Sequence, residues 1–343
     1  MDLSFLKTMP KVELHAHLNG SLKMDSIQEL GMELYGDNSD EFLREIKHFV
    51  EFASGNDEDK LNKCFQKFQF MHKLTATKEG LELATEKVIR DFASDNVFYL
   101  ELRTTPKANS NMSRRQYIEI ILHTLEDCLK KYDIIVKLLV SIDRSQGHQV
   151  AEEIIDLAIE MRNKYPSLVK GIDLSGNPAI GCFEDFVESL QKAKNAGLKL
   201  ALHCAEIDNE METQEMLDFN FDRCGHGTFL TSQQVEQCKK QLITIECCLT
   251  SNVKCGTVKG YDLHHFKYLF ENKVKAVICT DDCGVFDSTL TEELLIACRT
   301  YGLNKEHVYG LSKNAIEASF ASKEEKQVML KRTDKYFKDN QDI

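Results

Sequence analysis

The sequence lacks an excess of positive charge: 43 lysines and arginines stand against 55 aspartates and glutamates, a net charge of −12. That balance argues against a general electrostatic grip on nucleic acid or on an anionic membrane, although one small phosphate needs only a local cluster of donors. No run of 18 apolar residues occurs, so no bilayer-spanning helix can be drawn. Residues 1–10 carry Asp2 and Lys7 around a short apolar patch and lack the h-region of a signal peptide. Twelve cysteines are present, yet no C-x-x-C pair is among them. They are scattered from Cys64 to Cys298, and Cys204, Cys247 and Cys279 sit inside apolar runs, where a free thiol behaves as a small core hydrophobe. The expectation is a soluble chain of the reducing cytosol. Linkers rich in Gly, Pro or Ser and internal repeats are also missing, which predicts one domain over residues 1–343.

What is present is an alternation. Eight short apolar runs, at 12–18, 98–104, 135–142, 169–174, 199–203, 222–225, 243–249 and 276–280, are bounded by turn residues. Segments of helical spacing separate them; 150–164 places Ile154, Ile155, Leu157, Ala158 and Met161 on one face, and 183–196 and 232–240 read alike. Eight βα units fit a closed α/β barrel of the TIM (β/α)8 type, since closure leaves no edge and buries every strand on both faces. A doubly wound open sheet is the alternative. The barrel is preferred because His15, His17, Glu101, Asp143, His203, Glu206, His226, Asp281 and Asp282 cluster where the runs end, and barrel active sites sit at such ends. One connection is out of proportion: nearly eighty residues follow the first run, with helical segments at 25–35, 39–53 and 61–74. They predict a helical insertion over 20–96 that covers the mouth. The stripe of Phe65, Phe68, Met71 and His72 either packs on the barrel or roofs a ligand.

The first run ends His15-Ala16-His17, and residues two apart on a strand project to the same side, which suits a chelating pair. An H-x-H alone is weak. It gains weight from His203 with Glu206 three residues on, from His226 in a Gly-His-Gly, and from Asp281-Asp282 closing the last run. Three histidines and an aspartate would suit a catalytic zinc with a place for water, whose pKa zinc lowers toward ~7. Glu206, just beyond a strand end, is placed to shuttle protons; without a metal beside it, it would be read as a helix cap.

The strings KVELHAHLNGS, KGIDLSGNP, LALHCAE, RCGHGT and CTDDCGVF, in that order between residues 11 and 286, resemble the adenosine and AMP deaminase branch of the amidohydrolase superfamily. The resemblance implies a TIM barrel with one zinc per chain and hydrolytic removal of the 6-amino group of a purine. It implies His15, His17, His203 and Asp281 as zinc ligands and Glu206 as general acid and base. His226 would stabilise the developing alkoxide, Asp282 would bond purine N7, and the Gly176 N–H would contact N3. Bland readings remain for some of these: a helix cap for the aspartate pair, a turn for Gly176.

One departure bears on the substrate. Adenosine deaminases proper carry an aspartate two residues after the second histidine, and here that residue is Asn19. A carboxylate about 5 Å from a phosphate charge would cost ~3 kcal/mol at an effective dielectric of 20, and an amide removes the penalty. HAHLNG therefore resembles the adenosine deaminase-like subgroup, which acts on N6-methyl-AMP to give IMP and methylamine. The segment LELRTTPKAN is similar to that subgroup's phosphate-contacting stretch, which implicates Thr104, Thr105, Pro106 and Lys107. Arg103 either joins them or faces outward. His72 is implied near the phosphate and Asp143 near the sugar. The expected partner is a small purine nucleotide, with no nucleic acid or membrane, for a monomeric enzyme. An adenosine deaminase, and an inactive barrel that serves as a binding protein, are the alternatives.

Overall fold

A computed structural model describes residues 1–36, 42, 44 and 71–340. The eight apolar runs form β1 (Lys11–His17), β2 (Val97–Thr104), β3 (Ile135–Asp143), β4 (Val169–Ser175), β5 (Lys199–Cys204), β6 (Arg223–His226), β7 (Thr244–Cys247) and β8 (Ala276–Ile278). They pair in parallel in sequence order. A bridge between Ala16 and Asp281 brings the end of β8 back to β1, with Asp281 N–H to His15 O at 2.8 Å and His17 N–H to Asp281 O at 3.0 Å. The result is a nearly closed TIM-type barrel with helices around it. Strands apolar on both faces and helices apolar on one leave this as the arrangement that covers both. The helices carry their own stop and start signals; Ser113 and Gln116, for example, form a capping box that opens helix Arg114–Lys131.

The interior is not filled by aliphatic layers alone. Arg103 and Arg223 lie fully buried inside it. Arg103 bonds Glu246 at 2.5 Å and Asp173 at 3.3 Å, and Arg223 bonds Glu246 at 2.6 Å and Glu101 at 2.5 Å. One sequence expectation is corrected here, and one open choice is settled. Glu101 belongs to this interior network, where it also accepts from Tyr99 at 2.8 Å, and is not part of the mouth. Arg103 points into the barrel, not out toward a helix, because its guanidinium finds two carboxylates there that would otherwise be buried unpaired.

Of the long first connection, helix Met24–Tyr35 packs against helix Lys78–Ser94, where Lys87 bonds Glu29 and Glu33 at 3.1 and 2.6 Å. Residues 71–74 are helical, and they bring His72 to the mouth. Phe65 and Phe68, with most of the predicted helices at 39–53 and 61–74, lie outside the described residues.

Beside the barrel mouth, Glu293 on helix Leu290–Tyr301 accepts the Thr250 N–H at 3.0 Å, which caps the short helix Leu249–Lys254. Burial pushes its pKa up to about 7 against the lowering effect of the Thr250 bonds. The unfolded state gives up this proton near pH 4.5, the folded state near 7, so Glu293 costs stability progressively as pH rises between them. Glu293→Gln should therefore gain on the wild type by about 2–3 kcal/mol between pH 4.5 and 7, read by urea unfolding. Parallel pH profiles for the two proteins would contradict this.

Candidate active site

The ends of β1, β5 and β8 bring four donors together. His15 Nε2 and His17 Nε2 each lie 3.2 Å from His203 Nε2, and Asp281 Oδ1 lies 3.4 Å from both His15 and His17. Three of the four are oriented from behind. Glu246 holds His15 Nδ1 at 2.7 Å, Asp173 holds His203 Nδ1 at 2.8 Å, and Ser251 Oγ donates to Asp281 Oδ2 at 2.7 Å. With both Nδ1 atoms committed to carboxylates, neutral His15 and His203 would face each other as bare lone pairs. A proton on one of the rings, or a metal ion shared between them, relieves that contact. Burial opposes charge on His203, yet Asp173 raises its pKa to about 9, while burial holds His17 neutral with a pKa of about 3. These donors, mutually within 4.8 Å, fit a metal ion bound by three imidazoles and one carboxylate, each imidazole–carboxylate pair supplying the usual orientation.

The backbone bends sharply to make this possible. His226 and Asp281 both sit at φ 62°, a left-handed conformation that non-glycine residues adopt at a cost of about 1–3 kcal/mol. Gly225 makes the room: a Cβ there would stand 3.0 Å from the His15 ring.

Fourteen of the residues singled out from the sequence line one cavity of about 510 Å³: His17, Asn19, His72, Arg103, Thr104, Thr105, Lys107, Asp143, Gly176, His203, Glu206, His226, Asp281 and Asp282. His15 lies buried beneath its floor, and Pro106 is buried without lining it. Glu206 Oε1 stands 3.5 Å from His226 Nε2, and burial raises the Glu206 pKa. At another part of the wall, Lys107 Nζ donates to His72 Nε2 at 2.6 Å. Burial, then the Lys107 charge, lowers His72 to about 4, so the ring is the acceptor. Asn19 presents a buried Oδ1 with no hydrogen-bonding partner among the described residues. Behind it, the Tyr117 hydroxyl shares a 2.9 Å hydrogen bond with Thr104 Oγ1 and also interacts with the Asn19 amide.

Sequence reasoning missed Asp173, Glu246, Ser251, Asn252 and Tyr117. Asp173 and Glu246 had a signal: each is a charge inside an apolar run, and a fully buried carboxylate has a partner. Ser251 and Asn252 follow the seventh run in a Thr-Ser-Asn, at a strand end where barrel sites sit.

A cluster of donors able to hold a metal ion at the C-terminal mouth of a parallel barrel, with an acid beside it, is the arrangement of a barrel hydrolase. The chain belongs to the adenosine deaminase family: residues 10–336 match the family described as "Adenosine deaminase". It is 52% identical over 333 residues to the adenosine deaminase-like protein of Drosophila melanogaster, covering 97% of each chain. With the N6-methyl-AMP deaminase of Homo sapiens it shares 40% identity over 338 residues, covering 96% of this chain and 93% of that one. A solved structure of arabidopsis ADAL complexed with IMP matches with a TM-score of 0.88 at 37% identity, over 98% and 99% of the two chains.

Proposed function

We propose that this chain is a zinc-dependent hydrolytic deaminase of purine nucleotides that converts N6-methyl-AMP and water to IMP and methylamine. The observation that carries the reading is the single cavity that joins the His/Asp cluster and Glu206 to Asn19, Thr104, Thr105, Lys107 and His72. A purine 5′-monophosphate has its reacting carbon and its phosphate at opposite ends, as such a cavity requires.

In this reading His15, His17, His203 and Asp281 hold the zinc, which when bound supplies a Lewis acid that makes water nucleophilic near neutral pH. Glu206 takes a proton from the attacking water and delivers it to N1. As the C6–N6 bond breaks, Glu206 passes the second water proton to the amine, so methylamine leaves neutral and the C6 oxygen becomes a carbonyl. His226 donates to the oxygen at C6 while charge accumulates there. Asp282 and the Gly176 N–H hold the purine at N7 and N3, and Asp143 lies toward the sugar. The donors of Thr104, Thr105 and Lys107, with His72 buttressing Lys107, take the phosphate.

Asn19 decides between nucleotide and nucleoside. Asn19→Asp should lower kcat/KM for N6-methyl-AMP by about 100-fold, the equivalent of ~3 kcal/mol, and leave that for N6-methyladenosine within about threefold. An equal effect on both substrates would remove Asn19 from phosphate recognition.

Lys107 adds a pH dependence. Burial lowers its pKa to about 8, with Asp143 opposing. It is charged below that value and neutral above, so the KM for the nucleotide should rise above pH 8 while the nucleoside's KM stays flat. Parallel KM profiles to pH 9.5 would contradict this assignment.

A further inference from the structure

His226 has two ring nitrogens, and only one tautomer offers an N–H to the cavity. The choice can be traced from a group whose role is not in doubt. The Phe266 backbone N–H reaches His264 Nδ1 at 3.0 Å, and a backbone amide only donates, so Nδ1 accepts and the neutral His264 ring carries its proton on Nε2. That Nε2–H points at the Asn252 side chain at 3.0 Å, where the acceptor must be Oδ1. The Asn252 amide nitrogen therefore faces His226 Nδ1, at 3.3 Å, and donates to it.

A second contact fixes the amide independently. Thr257 Oγ1 spends its proton on the Asn252 carbonyl at 3.1 Å, so toward the Asn252 side chain, at 3.4 Å, it can only accept, and the atom there must be Nδ2. With Nδ1 accepting, His226 carries its proton on Nε2, the nitrogen that faces Glu206 Oε1 at 3.5 Å and Asp281 Oδ2 at 4.0 Å. The ring is anchored from its backbone as well, since His265 Nε2 lies 2.8 Å from the His226 carbonyl and His265 stacks on His264 with ring centroids 4.1 Å apart.

We propose that Asn252 and His264 are positioning residues that lock His226 in its Nε2–H tautomer, so that it can only donate into the cavity and is kept out of the neighbouring metal-ligating set. The second half of this matters because His226, Cys248 and Asp281 carry ligand atoms within 4.8 Å of one another. The opposite tautomer would expose a bare nitrogen beside Asp281, convert an oxygen-stabilising donor into a ligand and invite a second cation into the place of the reacting oxygen. The relay thus separates two kinds of histidine at one site: those whose Nδ1 donates to a carboxylate and whose Nε2 binds metal, and one whose Nδ1 accepts from an amide and whose Nε2 donates.

The inference rests on the deaminase reading for its catalytic consequence, but its structural half can be tested without turnover. In the metal-loaded enzyme labelled with 15N-histidine, the His226 resonances should report a protonated Nε2 and a bare Nδ1. Asn252→Asp presents an acceptor in place of the donor, and should exchange the two states. It should also lower kcat for N6-methyl-AMP by about 10²–10³-fold, the usual loss for one oxyanion donor, with KM within about threefold. His264→Phe, which removes one of the two contacts that hold the amide and leaves the longer one to Thr257, should give a partly mixed tautomer and a smaller loss. A wild-type His226 protonated on Nδ1 would overturn the proposal, and so would Asn252→Asp with wild-type kcat. If Asn252→Asp does not fold, the wild-type spectrum decides alone. Absence of turnover on any purine by the wild type, with the expected spectrum, would remove the deaminase reading and leave the tautomer assignment standing.

Discussion

Glu206→Gln should keep its metal and lose its turnover, with kcat falling by about 10²–10⁴-fold, the range that a positioned general acid and base contributes. The substitution preserves shape and removes only the ability to accept and return a proton. Glu206 stands beside His226 and is not one of His15, His17, His203 and Asp281, so those four should keep their metal, even though the Glu206 carboxylate also lies within reach of His203 and His226. Burial raises the carboxyl's pKa, which favours the protonated form needed to donate to N1. The check is paired: metal content by elemental analysis and kcat for the best purine substrate, on the same preparation. Wild-type turnover would remove Glu206 from proton transfer. Loss of metal would make it a ligand instead.

The largest effect on stability should come from Arg103, whose guanidinium is bound inside the barrel beneath the cavity it helps to line. Arg103 lies in the barrel with its guanidinium on Asp173, Glu246 and the carbonyls of Leu14 and Ala201, at 3.3, 2.5, 3.0 and 3.4 Å. Those two carboxylates are also the ones that orient His203 and His15. Arg103→Met would leave them buried and short of a counter-charge, and breaking a buried pair in this way costs about 3–5 kcal/mol. Metal affinity should fall with it by about 10–100-fold, the usual effect of disturbing the carboxylates behind a histidine ligand. Arg103→Lys should restore little, because one ammonium cannot replace a fork that reaches two carboxylates. Urea unfolding of the metal-free and metal-loaded forms separates the two effects. A metal-free Arg103→Met protein within about 1 kcal/mol of wild type would show that the interior network is not what holds the barrel.

These residues also mark where the sequence was legible. Strands buried on both faces are written as short apolar runs, and all eight runs became strands in the expected order. Their ends shifted for local reasons. β1 begins at Lys11, whose ammonium reaches the carbonyls of Leu6 and Met9 at 2.9 and 3.0 Å, and β7 stops at Cys247 because Leu249 opens a helix. The cluster of candidate ligands was readable because H-x-H on a strand aims both rings one way, and because the other donors fall at strand ends. Arg103 was not, since alternation along a strand buried on both sides does not say which face is the barrel's. Nor was the relay through Asn252 and His264. Its members are ordinary polar residues, with Asn252 lying 26 positions from His226 and 12 from His264, and only the folded chain brings their nitrogens and oxygens into one line.

Side-by-side turnover of N6-methyl-AMP, AMP, adenosine and N6-methyladenosine by the zinc-loaded protein, with products separated chromatographically, tests the central claim most directly. The account predicts the highest kcat/KM for N6-methyl-AMP, with IMP and methylamine formed in equal amounts. Preference for adenosine or N6-methyladenosine over their 5′-monophosphates would contradict it, leaving the barrel and its metal-ligating cluster but removing the phosphate from the site built around Asn19, Thr104 and Lys107.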